Sequence, residues 1–462
     1  MAEKSHDGVQ DGPSILPIPS TYTEGKRHKR SGRKSKKFEI KESGESGRRG
    51  IHPWHFLRIT FRSASRASTL CNILWPVVPT ALAVRYTLKE HHLLIFILSY
   101  IAMVPCANLI GFAGQEFARK VPHVAGVLVE TTCGSVVEIV LFLVFLQSDN
   151  PNKFYIIKAA IMGSILATML LCLGFVFFVG GLLRDEQTFS DAISEAGSGL
   201  LLMAGVVLTV PAAFRQGLLS LGVPAEELGP RSLHISRIIS VLLIIAYLVY
   251  VFFQARSHHG IYDAVFEYDE HRDRDKHKDR SKDKLTMTEC IIALAVSITL
   301  VTLLAIGLVH QIEPVIERSG VSDAFMGLIL VPLVEKFAEH LTAIDEAWDN
   351  QMNFALSHVL GATLQTALFN APLTVIVGWG LGTTNALAQH MDLDFEAFNL
   401  IMLILSILTV GKVLQDQKSN YLEGTLLIIL YVSIAVSAYY YPFTGVDLAG
   451  GEAGSANGEG GH

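Results

Sequence analysis

Residues 133–145 read CGSVVEIVLFLVF and residues 163–171 read GSILATMLL; in the second half of the chain, residues 334–344 read VEKFAEHLTAI and residues 361–369 read GATLQTALF. Gly163 and Gly361, Leu166 and Leu364, and Thr168 and Thr366 are identical at one shared offset, and Glu138 and Glu339 correspond at an offset three residues longer. The chain is therefore internally duplicated. Each unit sets an acid in an apolar segment and follows it with a Gly-containing polar stretch. An acid at membrane depth costs roughly 2.5–3.5 kcal/mol even on the mildest scales, so two at equivalent places point to an ion site. Duplicated membrane halves that meet at such a site are a common plan among secondary transporters.

Half of the 462 residues are hydrophobic and the mean hydropathy is +0.39. With apolar runs of about 20 residues recurring, this is the composition of a polytopic membrane protein. The net charge of -6 conceals an asymmetry: residues 1–66 hold fifteen Lys/Arg against seven Asp/Glu, while the last 20 residues hold no Lys or Arg. A basic tail suits nucleic acid, but beside so many spans the expected partner is anionic membrane lipid on the cytoplasmic face, with no nucleic acid. Cys71, Cys106, Cys133, Cys172 and Cys290 lie in or beside apolar segments without a CxxC pair, against a disulfide framework or zinc site. The first 66 residues have no apolar core of a cleavable signal, so the first span is expected to target the chain.

The expected fold is all-α, with about 11 transmembrane helices near 70–86, 93–112, 122–147, 155–183, 197–214, 233–254, 287–310, 322–346, 352–380, 394–412 and 420–441. Residues 1–66 read as a disordered basic tail, 67–254 as a first membrane half, 255–286 as a charged linker, 287–441 as a second half and 442–462 as a flexible tail. Within the linker, EYDEHRDRDKHKDRSKDK (residues 267–284) alternates acids and bases and reads as solvated; its interspersed bases weaken a cation-sensor reading. Cutting there leaves one extra helix plus two sets of five. Because five is odd, the second set enters the bilayer from the opposite side, which makes the repeats inverted with a site near the midplane. The basic tail and the linker share a face, which their Lys/Arg content makes cytoplasmic.

Glu130, Gly134 and Glu138 are four residues apart and share a helix face that brings Ser135 near Glu138; Glu335 and Glu339 share a face in the same way. Ser164 and Thr168 in one unit, with Thr363, Gln365 and Thr366 in the other, complete an oxygen-rich shell suited to Ca2+, which takes about 6–8 oxygen ligands. Gly134, Gly163 and Gly361 allow close helix approach or local unwinding. Taken singly, such glycines and hydroxyls are ordinary helix-packing positions, and a buried acid can be structural; the duplication favours a site. Asp345, Glu346 and Asp349 form either an acidic vestibule or a solvated helix end, and Arg215 reads as snorkelling to the interface. A carboxylate pair also couples ions to protons, since two negative charges left behind by a departing cation are neutralised by hydrogen ions. There is no Walker-type GxxxxGK[ST] and no nucleophile, base and oxyanion constellation, so the chain does not read as an enzyme and no cofactor is expected besides the transported cation and protons.

These residues resemble the Ca2+/proton exchangers of the cation/Ca2+ antiporter superfamily over about residues 68–441. Residues 130–138, ETTCGSVVE, align with a family form close to NATFGNAVE, and residues 335–340, EKFAEH, with one close to GNAAEH. GSILATMLLCLG at 163–174, VPAAFR at 210–215, GLILVPLVE at 327–335 and ALFNAPLTVIVGW at 367–379 are similar to family landmarks. The resemblance implies the eleven-helix antiporter fold, alternating access, and commonly a vacuolar membrane in fungi and plants. Departures are specific: Glu130 stands for a family Asn, Gly134-Ser135 and Glu335-Lys336 stand where Gly-Asn is usual, Ala167-Thr168 replaces a Ser-Asn pair, and Asn370 replaces an apolar residue. Lys336 either stands in the cavity, where it occupies the place of a substrate charge, or points about 100° away from its neighbour and pairs elsewhere. His340 follows Glu339 as in the family and suits either proton relay or a structural hydrogen bond. The expected function is a cation/proton antiporter moving Ca2+ or Mn2+ from the cytosol into an acidic organelle. A monovalent-cation exchanger and a transport-inactive membrane scaffold are the alternatives, and a homo-oligomer is compatible with each.

Overall fold

Each of the eleven apolar segments is a helix in the computed structural model, which describes residues 50–441 apart from 64, 122, 149, 151, 273–281 and 383–386. The first half supplies α2 (Ala67–Thr87), α3 (His92–Ala118), α4 (His123–Leu146), α5 (Asn152–Leu183), α6 (Asp191–Ser220) and α7 (Glu227–Ser257). The second supplies α9 (Met287–Ser319), α10 (residues 323–348), α11 (Met352–Leu381), α12 (Ala397–Asp416) and α13 (Tyr421–Tyr439). Nine of these, among the described residues, are apolar and long enough to cross a membrane. The other two, α4 and α10, carry Glu138 and Glu339. With α2 set apart, α3–α7 and α9–α13 are the two five-helix repeats, and the long equivalents α3 and α9 pack together.

Local chemistry sets the helix ends. Thr286 and Glu289 form a reciprocal capping box at the start of α9, and Gly320 closes that helix with φ of 67°, the left-handed conformation a glycine adopts without a Cβ clash. The Asn420 side chain accepts the Leu422 and Glu423 amides at the start of α13. A two-residue antiparallel pair, β1 (Gln187–Thr188) with β2 (Lys418–Ser419), joins the α5–α6 connection to the α12–α13 connection. Apolar residues such as Trp54, Ile245, Leu405 and Ile429 remain exposed over the outside of the molecule, as a lipid-facing surface requires.

Two segments depart from the sequence expectation. The tail is helical over α1 (Pro53–Arg62), which starts with Pro at its first turn, buries Ile59 against Phe112, Leu285 and Cys290, and exposes Trp54, Leu57 and Phe61. Its few apolar residues fall on helical faces, which a composition count misses. The expected tails 1–49 and 442–462 lie outside the described residues.

The linker is the larger correction. Of residues 267–284, read as solvated, 267–272 are the end of α8 (His259–Arg272) and 273–281 lie outside the described residues; Asp269, within the helix, is fully buried. Its carboxylate accepts the Asn353 and Phe354 amides at 2.7 and 3.2 Å and the Asn353 side-chain amide at 2.8 Å, which caps the otherwise orphaned N-terminus of α11. Phe266 stacks on Phe354 at 4.5 Å, and Asn353 Oδ1 accepts the Ser190 amide at the start of α6. Burial pushes the Asp269 carboxyl up, against the hydrogen bonds that lower it. Removing this acid strands two backbone donors, so Asp269→Ala is expected to cost about 1–3 kcal/mol and to speed protease cleavage after α8. Unchanged digestion and unchanged melting would show that the clasp contributes nothing.

Candidate cation site

Helical repeat geometry would be regular if α5, α10 and α11 were uninterrupted, but each contains a π-helical stretch: Ala167–Cys172, Met326–Leu330 and Thr366–Asn370. Such widened turns re-aim side chains and concentrate at functional sites. Two of them precede prolines, Pro332 and Pro372, whose missing N–H and ring bulk disfavour a regular turn. The stretches in α5 and α11 occupy equivalent places just after Gly163 and Gly361, so the duplication extends to backbone geometry. In α11 the result aims Thr366 and Asn370 at one target. Thr366 Oγ1 donates to Glu138 Oε2 at 3.0 Å and Asn370 Nδ2 donates to the same oxygen at 2.7 Å.

Glu138 and Glu339 converge, as their repeat positions predicted, and they converge on Lys336. Its Nζ lies 2.7 Å from Glu138 Oε2 and 3.3 Å from Glu339 Oε2. The side chains of Glu138 and Lys336 are each 1% exposed, whereas that of Glu339 is 24% exposed. One acid of the pair is thus sealed and the other is partly exposed. Among the described residues no group of three or more His, Cys, Asp or Glu is arranged to hold a metal ion; the two acids share an ammonium.

The remaining expected residues divide. Gly134 faces the site, since a Cβ there would stand 2.8 Å from Glu339 Oε1. Ser135 is fully buried and its hydroxyl has no partner. Ser164 donates to Glu335 Oε1, leaving Glu335 Oε2 buried without one. Thr168 Oγ1 lies 3.3 Å from His340 Nε2, so His340 has the hydrogen bond that one of its two readings required. Thr363 is buried but spends its hydroxyl proton on Val359 O of its own helix at 2.7 Å, and Thr366, one turn on, is the hydroxyl that serves Glu138. Gln365 is buried. A Cβ at Gly361 would meet nothing within 4 Å, so of its two readings close helix approach finds no neighbour there, whereas a Cβ at its partner Gly163 would clash with Leu328 O and stand 2.6 Å from Pro332 Cγ. Glu130 is exposed, and among the described residues no contact places it at the two acids; His358 and Glu346 are paired at 2.7 Å. Glu346 is thus a paired acid rather than part of a freely solvated helix end. Sequence reasoning passed over His358, whose only signal was an imidazole in an apolar helix, and noted Asn370 as an oddity without assigning it a partner.

At the other end of the bundle, Lys158 pairs with Asp392, and Arg215 pairs with Asp394 at 2.6 Å. Arg237 donates to Gln389 O at 3.0 Å and lies over Trp379. Arg215 is thus an ion-pair partner, which corrects its reading as a snorkelling side chain. Burial pushes the Asp394 carboxyl up, and Arg215 pulls it down. These contacts tie α5, α6 and α7 to the residues between α11 and α12 around a cavity of about 530 Å³ that Tyr155, His390 and Glu396 also line.

The sequence and fold have relatives. A family described as sodium/calcium exchanger protein matches residues 91–256 and 290–440. Vacuolar cation/proton exchanger 2 of Oryza sativa subsp. japonica is 31% identical over 372 residues, 80% of this chain and 81% of the relative. A Ca(2+)/H(+) antiporter of Aphanothece halophytica is 32% identical over 353 residues, 75% of this chain and 90% of the relative, and the vacuolar calcium ion transporter of Schizosaccharomyces pombe is 29% identical over 348, 75% and 79%. The solved structure of native YfkE superposes with a TM-score of 0.65 at 26% identity, over 80% of this chain and 100% of that one. The H+/Ca2+ exchanger CAX shares the fold with a TM-score of 0.60 at 13% identity, over 82% and 90%. With the two halves matched separately and each delivering one glutamate to a common point, the chain belongs to the sodium/calcium exchanger protein family.

Proposed function

We propose that this protein is a cation/proton antiporter that moves Ca2+, or Mn2+, out of the cytosol into an acidic organelle such as a vacuole, with Glu138 and Glu339 alternating between cation and protons. The observation that carries this reading is the meeting of two repeat-related acids at one buried nitrogen, one acid sealed and the other partly open. Carboxylate, hydroxyl and amide oxygens from Glu138, Glu339, Ser135, Thr366 and Asn370 are hard donors of the kind Ca2+ takes. When the cation leaves, the acids left in a low-dielectric pocket gain protons from the acidic side, which resets the site. The face carrying α1 and α8 is the cytoplasmic one on this reading, and Glu130, Glu346 and His358 mark the approach from it. The names of the plant, fungal and cyanobacterial relatives support the cation and the membrane.

A pH difference supplies about 1.36 kcal/mol per proton for each unit. Purified protein in liposomes with an acidic interior is therefore expected to accumulate radiolabelled Ca2+ until a protonophore collapses the gradient. Equal uptake with and without the gradient would sink the exchange mechanism. The second reading is monovalent-cation/proton exchange, favoured by the Lys336 ammonium, which already cancels one of the two site charges; Na+ or K+ flux with no Ca2+ flux would establish it.

A further inference from the structure

The family form places Gly-Asn where this chain has Glu335-Lys336, a replacement that adds one acid and one base together. Those two side chains have different fates. Lys336 Nζ occupies the point where Glu138 Oε2 and Glu339 Oε2 converge, 1% exposed, in the position a transported ion would take. Glu335 is held by Ser164 through Oε1, and its Oε2 is buried with no hydrogen-bond partner. A buried carboxylate oxygen left unpaired is costly unless the group takes a proton or a cation visits it.

We propose that Lys336 is a tethered cation that holds the exchange site when no metal ion is bound and moves onto Glu335 when one arrives. This rests on the exchange function above and specifies how its site is regulated. The acids remain able to receive an ion while the lysine is in place, because Glu138 Oε1 has no hydrogen-bond partner and Glu339 Oε1 lies beside the bare Gly134. The flexible four-carbon stem of lysine lets its ammonium change partners without backbone movement. An ammonium leaving two buried acids needs another acid to receive it, and Glu335, the adjacent residue, supplies the unpaired oxygen. Cation binding is then a displacement. Its apparent affinity is reduced by the fraction of time the lysine spends in the site, and the added Glu335 keeps that fraction below one.

The test is the KM for proton-driven Ca2+ uptake into liposomes, together with equilibrium binding of radiolabelled Ca2+ to the detergent-purified full chain. Lys336→Asn is expected to lower the KM by about ten-fold or more. Lys336→Met, which keeps the apolar stem and loses the charge, is expected to tighten Ca2+ binding in the same direction and provides a second variant if the first is unstable. Glu335→Gln is expected to raise the KM in the presence of Lys336 and to have no further effect once Lys336 is Asn. Equal KM and equal binding in the wild type and both lysine variants, with uptake still lost in Glu138→Gln, would overturn the tethered cation and leave exchange standing. If neither wild type nor Lys336→Asn moves or binds Ca2+, Mn2+, Na+ or K+, the tethered cation and the exchange function fall together. A Glu335→Gln effect that persists without Lys336 would overturn Glu335 as the receiving acid.

Discussion

Glu138→Gln is expected to abolish proton-driven cation uptake while leaving the chain inserted in the membrane. The substitution removes the sealed charge of the pair and keeps the side chain's shape, so Thr366 and Lys336 retain a carbonyl oxygen to meet. It cannot take up and release a proton at neutral pH, and the neutral amide offers a cation one dipole in place of a charge. Losing one of the two acids that hold the buried Lys336 is also expected to lower the melting temperature in detergent. Combining Glu138→Gln with Lys336→Met removes both charges and is expected to restore much of that stability without restoring transport. That split separates the acid's role in exchange from its role in the ion pair. Glu339→Gln is expected to lose uptake with a smaller stability loss, because Glu339 is partly exposed and lies farther from Lys336. Wild-type uptake rates from either single mutant would contradict the exchange chemistry.

The second large effect concerns Gly163. A Cβ at this position would clash with Leu328 O and stand 2.6 Å from Pro332 Cγ, and a backbone carbonyl inside a packed bundle has nowhere to go. Leu328 lies four residues before Pro332, so its carbonyl lacks the helical N–H it would otherwise meet, and α5 packs directly against it. Overpacking a core costs about 1–3 kcal/mol when neighbouring side chains can adjust, and more when backbone is struck. Gly163→Val is therefore expected to prevent accumulation of folded protein, read by size-exclusion in detergent. Gly361→Ala, at the equivalent repeat position, meets nothing within 4 Å and is expected to fold normally. Similar yields from both would mean that the crossing at Gly163 is looser than its geometry.

Which features could be read in the sequence follows from how each signals itself. An acid in an apolar run stands out against its background, so Glu138 and Glu339 were legible, and duplication made their meeting predictable before any coordinates. The direction of Lys336 was not, because a long side chain on a helix can reach several partners and only packing selects one. Thr366 repeats Thr168 and was legible by symmetry, whereas Asn370 acquires its aim from a π-helical stretch that periodicity arguments do not detect. Gly361 misled for the opposite reason: identical repeat letters conceal that only Gly163 faces a backbone. Asp269 was hidden by its surroundings. In a run where acids and bases alternate, one residue chosen to cap α11 looks like every other solvated charge, and α8 has too little apolar character to declare itself.

The crossing of α5 and α10 is close on both sides, for Gly163 meets Leu328 and Gly327 meets Ala159 and Ile156. The two halves touch there almost main chain to main chain, within a few residues of Ser164 and Glu335. A crossing with so little slack would serve as a fulcrum: a tilt of one half against the other about it would leave it nearly stationary and swing the far helix ends through the widest arcs. A small substitution at the pivot would then stiffen the whole stroke, whereas the same substitution at either rim would merely trim its reach.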